Sequence, residues 1–452
     1  MNAIEQEGST TYVYLVAIVA AVSGLLFGFD TAVINGALPF LKLYFGLTDI
    51  QIEITASSLL LGCVVGVSGA GPLSDRYGRK RALFGAAGLF LLSAIGAAIP
   101  KHLHEFILAR FIGGLAIGVA SMMAPLYIAE IAPADIRGRL VSLNQMAIVS
   151  GILCSYLISW LLSGIGVSSW RWMFAIAGLP SLLFMVGIFF MPESPRWLVK
   201  QGQVAPARVI LSRVNGIRRA TIELEDIREA ISHEEGSVVR LFQRGLRRPM
   251  AIAIVLAVLQ QITGINTIIY YSSMILTRPT GNQTASSAGE ALQANVVVGI
   301  IAFLSTVIAL WIIDKVGRKP LLLTASGGMG LSMFMLGAAF FQMAVPRAMI
   351  LAAIFSYVAF FSVGMGPGVW VLMSELFPTR VRGRAMAIAT VSLWAACLVV
   401  TLTFLSLMNI LTPGGAFWFY GVICVLTFVF IWRALPETKG ETLEEIEQWW
   451  RY

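Results

Sequence analysis

Twelve runs of roughly 20 almost wholly apolar residues follow one another along the chain, separated by short polar or charged stretches. Each is about the length an α-helix needs to cross about 30 Å of hydrocarbon. The pattern predicts an all-α membrane protein with spans 1 to 12 at approximately 13–36, 54–73, 82–99, 106–129, 140–163, 171–191, 250–275, 294–313, 320–343, 348–376, 384–410 and 415–435. Between spans 6 and 7 the pattern changes. Residues 196–249 are too charged to insert and read as short amphipathic helices at 205–214, 220–231 and 238–242. The expected organisation is a six-helix bundle over 1–195, a linker over 196–249 that packs beneath it, and a second six-helix bundle with a short tail over 250–452.

Composition agrees and adds direction. The 452 residues are 58% hydrophobic and 12% charged, with mean hydropathy +0.82, more apolar than a soluble core of this length uses. If both termini and the even-to-odd loops share one side, that side holds 26 of the 32 Lys and Arg residues. Basic residues are retained in cytoplasmic loops, so both termini are expected in the cytoplasm, with the chain threaded through the plasma or inner membrane. The same bias accounts for the net charge of +8, which therefore gives no argument for a nucleic-acid partner. The first apolar stretch is long enough to span and follows no basic region, so no cleavable signal peptide is expected.

Little points to enzymatic chemistry. Cys63, Cys154, Cys397 and Cys424 all fall in spans, without metal-ligand spacing, and read as packing residues. His102, His104 and His233 read as loop residues. The linker has neither a phosphate-binding glycine loop nor a nucleophile with a partnered base, so neither an internal ATPase, a catalytic residue, a metal nor a cofactor is expected. Asn282-Gln283-Thr284 fits an N-glycosylation sequon in an outer loop.

The charged residues at the span ends repeat. Glu130 followed by Arg137-Gly138-Arg139 returns 245 positions later as Glu375 followed by Arg382-Gly383-Arg384. Asp75 with Gly78-Arg79-Lys80 returns as Asp314 with Gly317-Arg318-Lys319, and 192–196 has a counterpart at 436–440. So long a period means two similar halves, the usual build of a transporter whose site lies between them. These motifs sit where helices meet cytoplasm. Networks among Asp75, Arg79, Glu130, Arg137, Glu193, Asp314, Arg318, Glu375 and Arg382, assembled when the cytoplasmic side closes, would bias a carrier between two shapes. The alternative is simple positive-inside anchoring.

Within the membrane, Asp30 and Arg110 are the two ionisable residues well inside predicted spans. Each costs roughly 2.5–3.5 kcal/mol on insertion scales if it faces lipid, so both should face the interior. Span 1 runs outward with Asp30 late, and span 4 runs inward with Arg110 early, so both belong to the outer half and are placed to pair. A carboxylate balanced between desolvation and a neighbouring arginine can change protonation when the arginine moves away, which is a proton-coupling device. The alternative is a static buried pair.

Span 7 carries Gln260, Gln261, Thr263, Asn266, Tyr270 and Tyr271. A continuous helix cannot aim all of them at one ligand, and Gly264 among them offers a place to unwind. Amides donate and accept without charge, which suits a neutral polyhydroxy ligand; Gln145 on span 5 is of the same type. Interhelical glue is the other use of such groups, at about 0.6 kcal/mol per contact. Span 10 reads Gly364-Met365-Gly366-Pro367-Gly368 and then Trp370, so a break is expected there. Trp370 and Trp394 are placed too deep to be interface anchors, whereas Trp170, Trp172, Trp449 and Trp450 suit that role.

Taken in order, residues 75–80, the Glu130 and Arg137 stretch, 192–196, Gln260-Gln261 with Gly264 and Asn266, the Gly-Pro-Gly before Trp370, and 436–440 resemble the sugar-porter family of the major facilitator superfamily. The resemblance implies two pseudo-symmetric six-helix bundles, alternating access, and a central site for a monosaccharide or polyol. It implies sugar contacts at Gln145, Gln260, Gln261, Asn266, Tyr270, Trp370 and Trp394, a proton-carrying Asp30 and its partner Arg110. Where many members carry an Asn in span 8 this chain has Ala302, and Leu393 stands where they carry an amide before the span 11 tryptophan. A site with fewer polar contacts discriminates hydroxyl stereochemistry less sharply. Leu310 also replaces the glycine that precedes the first copy's Asp75, Gly71. The expected activity is proton-coupled import of a hexose, pentose or polyol by a monomer in the bilayer. The competing readings are a passive uniporter with a structural Asp30 and a non-transporting sugar sensor.

Overall fold

The computed structural model describes residues 8–133, 136–232, 245–277, 285–341, 347–377 and 379–439. The expected helix at 238–242, His233, the sequon at 282–284, Trp449 and Trp450, and the side chains of Asp314 and Arg382 lie outside the described residues. Span 1 is α1 (Thr10–Phe45), span 2 α2 (Asp49–Tyr77), span 3 α3 (Arg79–Ala98), span 4 α4 (Leu103–Ile131) and span 5 α5 (Arg137–Leu162). Span 6 is made of α6 (Ser169–Ala175) and α7 (Gly178–Phe190). The linker holds α8 (Pro195–Lys200), α9 (Val204–Asn215) and α10 (Ile217–Ser232). Span 7 is α11 (Arg247–Ile262) with α12 (Ile265–Thr277), span 8 α13 (Ala285–Val316), span 9 α14 (Arg318–Phe340), and span 10 α15 (Arg347–Phe360), a π-turn and α16 (Gly366–Glu375).

The remaining helix, α17 (Thr379–Ala434), runs 56 residues, enough for two crossings at about 20 residues each. Thr412 breaks it with φ 65°, ψ 160°, just before Pro413, whose ring cannot continue the preceding helix. Spans 11 and 12 meet at this corner. Among the described residues the spans therefore number twelve, in two six-helix bundles, with the start of α1 and the linker on one side of the protein; that side is called the linker side below, and the opposite one the far side.

The linker helices are amphipathic because they share a small core of their own: Trp197, Leu198, Ala207, Leu211, Ala220 and Leu224. Their described ties run to the first bundle. Trp197 Nε1 donates to the Asp75 carbonyl at 3.0 Å, Ser9 N donates to the Arg213 carbonyl at 2.9 Å, and the Arg213 guanidinium covers the Tyr12 ring at 4.0 Å. Burial pushes the Glu223 carboxyl up while nearby Arg137 pulls it back down, so α10 passes near the start of span 5.

Trp170 departs from the expectation of a membrane-interface anchor. It is fully enclosed, with its ring against Tyr44, Phe45 and Phe106, because α6 turns its first residues inward; Trp172, next but one, is exposed.

Two irregularities place the residues of interest. Span 7 leaves the helix at Thr263–Gly264, where Gly264 has φ +101°. A Cβ there would stand 3.0 Å from the Tyr420 ring and 3.3 Å from Met333 Cε. The Thr263 carbonyl at the break accepts the Tyr357 hydroxyl at 3.0 Å, so the opened backbone stays satisfied in a medium without water. Span 10 passes through its π-turn at Phe361–Met365 just before Pro367.

Gly264→Ala is expected to destabilise the protein by about 1–3 kcal/mol, from the left-handed backbone and the close Tyr420 ring together. Gly85→Ala, where a Cβ meets nothing within 4 Å, is the control expected to leave thermal unfolding in detergent unchanged. Equal melting temperatures for the two variants would contradict the account of the break.

Candidate functional site

Asp30 on span 1 and Arg110 on span 4 face each other inside the first bundle, both buried. Arg110 Nη2 donates to the Asp30 main-chain carbonyl at 2.8 Å, whereas Nη1 stands 3.5 Å from the carboxylate Oδ1. Nε and Nη1 have no hydrogen-bond partner among the described residues. The guanidinium also lies 5.1 Å from the centre of the Phe174 ring. The firm bond thus goes to the backbone and the loose one to the carboxylate. A proton can therefore neutralise the carboxyl without freeing Arg110 from its place.

Tyr270 of span 7 belongs to this group. It is buried beside Cys397 of span 11, in the neighbourhood of Arg110 and Cys63. The sequence places Tyr270 with the ligand-facing amides; in the fold it carries the second bundle to the ion pair of the first.

The break at Gly264 lets the amides of span 7 converge. Gln260 Nε2 donates to the carbonyls of Met365 at 2.7 Å and Gly366 at 3.2 Å, where span 10 is distorted. Gln261 Nε2 donates to Gln260 Oε1 at 3.1 Å, and Asn266 Nδ2 donates to Gln261 Oε1 at 2.5 Å. The three amides form one relay from span 10 across the break. Each has capacity left for a further hydrogen bond, which an uncharged hydroxyl-bearing ligand can take up. Trp394 is 3% exposed, stands 5.3 Å from Phe27 of the other bundle, and its buried indole N–H has no partner among the described residues. Gln145 and Trp370 are partly exposed, and Ala302 and Leu393 are buried apolar positions.

At the linker side the two halves build the same structure. Arg79 Nε lies 3.0 Å from Glu130 Oε2, and its Nη1 lies 3.3 Å from Asp75 Oδ1; Arg318 Nη2 lies 2.9 Å from Glu375 Oε1. Glu193 Oε1 accepts the main-chain N–H of Arg79 at 2.9 Å and of Lys80 at 3.0 Å, capping span 3. Glu437 caps span 9 through Arg318 and Lys319, both at 3.0 Å. Ser194 Oγ donates to Glu130 at 2.5 Å and Thr438 Oγ1 to Glu375 at 2.6 Å. The repeated glycine follows from this geometry. Gly78 at φ +98° and Gly317 at φ +100° each leave room for the capping carboxylate, which a Cβ would meet at 2.2 and 2.8 Å. Arg137 stands apart and donates to the Ala132 carbonyl at 3.3 Å from both Nε and Nη2. These bonds lie within their halves.

The contacts that join the halves are elsewhere and are residues the sequence reading did not single out. Asn35 Nδ2 donates to Ser272 Oγ at 2.7 Å and Asn35 Oδ1 accepts the Ser273 N–H at 2.9 Å, while within the second half Ser272 Oγ donates to Asn295 Oδ1 at 2.7 Å. The Tyr156 hydroxyl donates to the Ile269 carbonyl at 3.1 Å. Glu53 and Asp49 of span 2 meet Ser406 and Asn409 of span 11. These bonds between the halves lie toward the far side and hold it closed.

Residues 16–450 match the sequence model of the family described as "Sugar (and other) transporter". The D-xylose-proton symporter of Escherichia coli (strain K12) is 37% identical over 480 residues, covering 98% of this chain and 96% of that protein. The arabinose-proton symporter of Bacillus subtilis (strain 168) is 38% identical over 454 residues, covering 99% and 97%. Among solved structures, the partially occluded inward-open conformation of the xylose transporter XylE from E. coli superposes with a TM-score of 0.84 at 35% identity, covering 96% of this chain and 100% of that one. XylE bound to 6-bromo-6-deoxy-D-glucose, a major facilitator superfamily proton:xylose symporter, gives 0.83 at 36% identity, covering 98% and 99%.

The two linker-side networks differ in burial, which separates their energetic weight. The Arg79 and Glu130 side chains are 9% and 6% exposed, those of Arg318 and Glu375 13% and 22%. Arg79→Ala leaves a buried carboxylate uncompensated and is expected to cost about 3–5 kcal/mol. Arg318→Ala is expected to cost less, because water can reach Glu375. Chemical denaturation of both variants in detergent checks the order, and equal losses would contradict it.

Proposed function

The chain belongs to the sugar transporter family, and we propose that it imports a hexose, pentose or related polyol together with protons through alternating access. It is a transporter and not an enzyme. The observation that carries the coupling is the position of Tyr270: on the span that bears the amide relay, and buried near Arg110 of the Asp30–Arg110 pair. Occupancy of the relay and the state of the ion pair thus meet on one helix. The relatives named as xylose-proton and arabinose-proton symporters support the same reading.

In this scheme the linker side is the cytoplasm, where the basic loops lie, and the membrane is the plasma or inner membrane of the cell. Residues 1–195, 196–249 and 250–452 act as first bundle, linker and second bundle of a monomer. Sugar enters from the far side onto Gln145, Gln260, Gln261, Asn266, Tyr270, Trp370 and Trp394, with Asp30 protonated. Far-side closure then exposes sugar and proton to the cytoplasm, and loss of the proton restores the attraction between Asp30 and Arg110. The capped networks around Arg79 and Arg318 keep the span ends of each half rigid, so that the halves move as bodies and gate the cytoplasmic side. Ala302 and Leu393 remove hydrogen-bonding groups from the site and broaden the range of hydroxyl configurations it accepts.

Proton movement on sugar addition to proteoliposomes tests the reading, with sugar counterflow measured alongside. Wild type should alkalinise the outside, and Asp30→Asn should abolish that signal while preserving counterflow. Sugar flux without a proton signal in either protein would make the chain a uniporter with a structural Asp30, and no flux of any sugar would refute the function. Gln260→Ala removes the first amide of the relay and should raise the KM for sugar roughly tenfold in uptake assays, the effect of one lost hydrogen bond. An unchanged KM would remove the relay from the site.

A further inference from the structure

Glu53 has no part in the coupling scheme, yet it is a carboxylate near the far end of span 2 that is only 2% exposed. Its Oε1 accepts the main-chain N–H of Ser406 at 2.7 Å, and its Oε2 accepts the hydroxyl of the same residue at 2.7 Å. Ser406 lies on span 11, in the opposite half. Asp49, one turn nearer the far surface, accepts from Asn409 Nδ2 at 3.2 Å. The other groups close to Glu53 are Tyr271 of span 7 and Tyr420 of span 12. No Lys, Arg or His among the described residues makes an ion pair with it.

A buried carboxylate without a cation is tolerated only where strong donors replace water. Here both donors come from one residue of the other half. The main-chain N–H is one that a regular helix directs to residue 402, so span 11 meets Glu53 with a backbone group as well as a side chain. When the halves part on the far side these donors leave together, and Glu53 returns to water, which solvates it. The carboxylate is thus satisfied in both conformations, by Ser406 in one and by solvent in the other. An apolar side chain at this position would seal the far side without fixing the register of span 2 against span 11; two hydrogen bonds to one residue fix it.

We propose that Glu53 is a positioning residue of the transport cycle, whose grip on Ser406 sets the fraction of molecules closed on the far side. The proposal rests on the alternating-access reading above and adds a latch distinct from the proton site.

The test reads the gate itself. Spin labels on cysteines replacing Leu43 and Ile410, exposed positions at the far ends of spans 1 and 11, report the separation of the halves in the full-length protein in liposomes. The four native cysteines are replaced by serine. Glu53→Ala should raise the ratio of long to short distances about tenfold, the effect of losing charge-assisted hydrogen bonds. Ser406→Ala, which keeps the backbone donor, and Glu53→Gln, which keeps an acceptor, should give smaller shifts in the same direction, and they carry the test if Glu53→Ala does not fold. Distance distributions that match wild type in Glu53→Gln and Ser406→Ala as well as Glu53→Ala would overturn the latch. The readout involves neither sugar nor proton. A shifted gate in a protein that moves neither would uphold the latch and remove the proposed function, whereas sugar-proton symport with unmoved distances would do the reverse.

Discussion

Hydrocarbon offers no hydrogen-bond partner, so every charge and every interrupted backbone in a membrane span must be satisfied by the protein itself. That constraint decides where this chain can be irregular. The broken span 7, the π-turn of span 10 and the Asp30–Arg110 pair all lie against other spans; the freed carbonyls are met, Thr263 by Tyr357 and Met365 and Gly366 by Gln260, while Arg110 holds the Asp30 carbonyl and keeps Nε and Nη1 without a hydrogen-bond partner among the described residues. The polar interior is therefore concentrated where the two bundles face each other. A route for a polar solute needs the same place.

Bond strength is distributed in a way that suits moving bodies. Within each half, guanidinium groups, carboxylates and capped helix ends are joined by charge-assisted bonds, as around Arg79 and Arg318. Between the halves four of the seven described bonds are neutral, among Asn35, Ser272, Ser273 and Tyr156, and the other three are made by Glu53 and Asp49 without any ion pair. Neutral hydrogen bonds exchange with water at small net cost, whereas buried ion pairs do not. The halves can part without losing their internal order.

Much of this was legible in the sequence because membrane burial makes residue chemistry expensive and therefore informative. An Asp and an Arg in otherwise apolar runs, a glycine amid amides, and glycines around a proline each violate a local rule, and the fold puts a pair, a break and a π-turn at those places. The span ends were less legible. Hydropathy starts span 2 at 54, but α2 begins at Asp49, so Glu53 reads as a loop residue although it is buried. Asn35, Ser272 and Asn295 escaped for another reason: small polar residues are common in membrane helices, and only the packing of spans 1, 7 and 8 shows that they meet. The distant partners of repeated motifs were also hidden. Glu130 recurs in register with Arg137, yet its described partners are Arg79 and Ser194, because helix ends from three spans converge there.

In the proposed cycle, the position of Tyr270 gives the coupling its physical form. A span that is broken at Gly264 has two segments, α11 and α12, and the second carries Asn266 at its start and Tyr270 one turn further on. A ligand that draws on the Gln261 and Asn266 amides acts on α12 directly, and a rigid segment of 13 residues carries that displacement to Tyr270 and so to the surroundings of Arg110. The same segment bears Ser272 and Ser273, which bind Asn35 across the far-side seam. In the proposed cycle, ligand, ion pair and gate thus act on one short helix that joins α11 through Thr263–Gly264. In an unbroken span 7, the same three interactions would have to bend a continuous hydrogen-bonded helix, and the coupling among them would be correspondingly weaker.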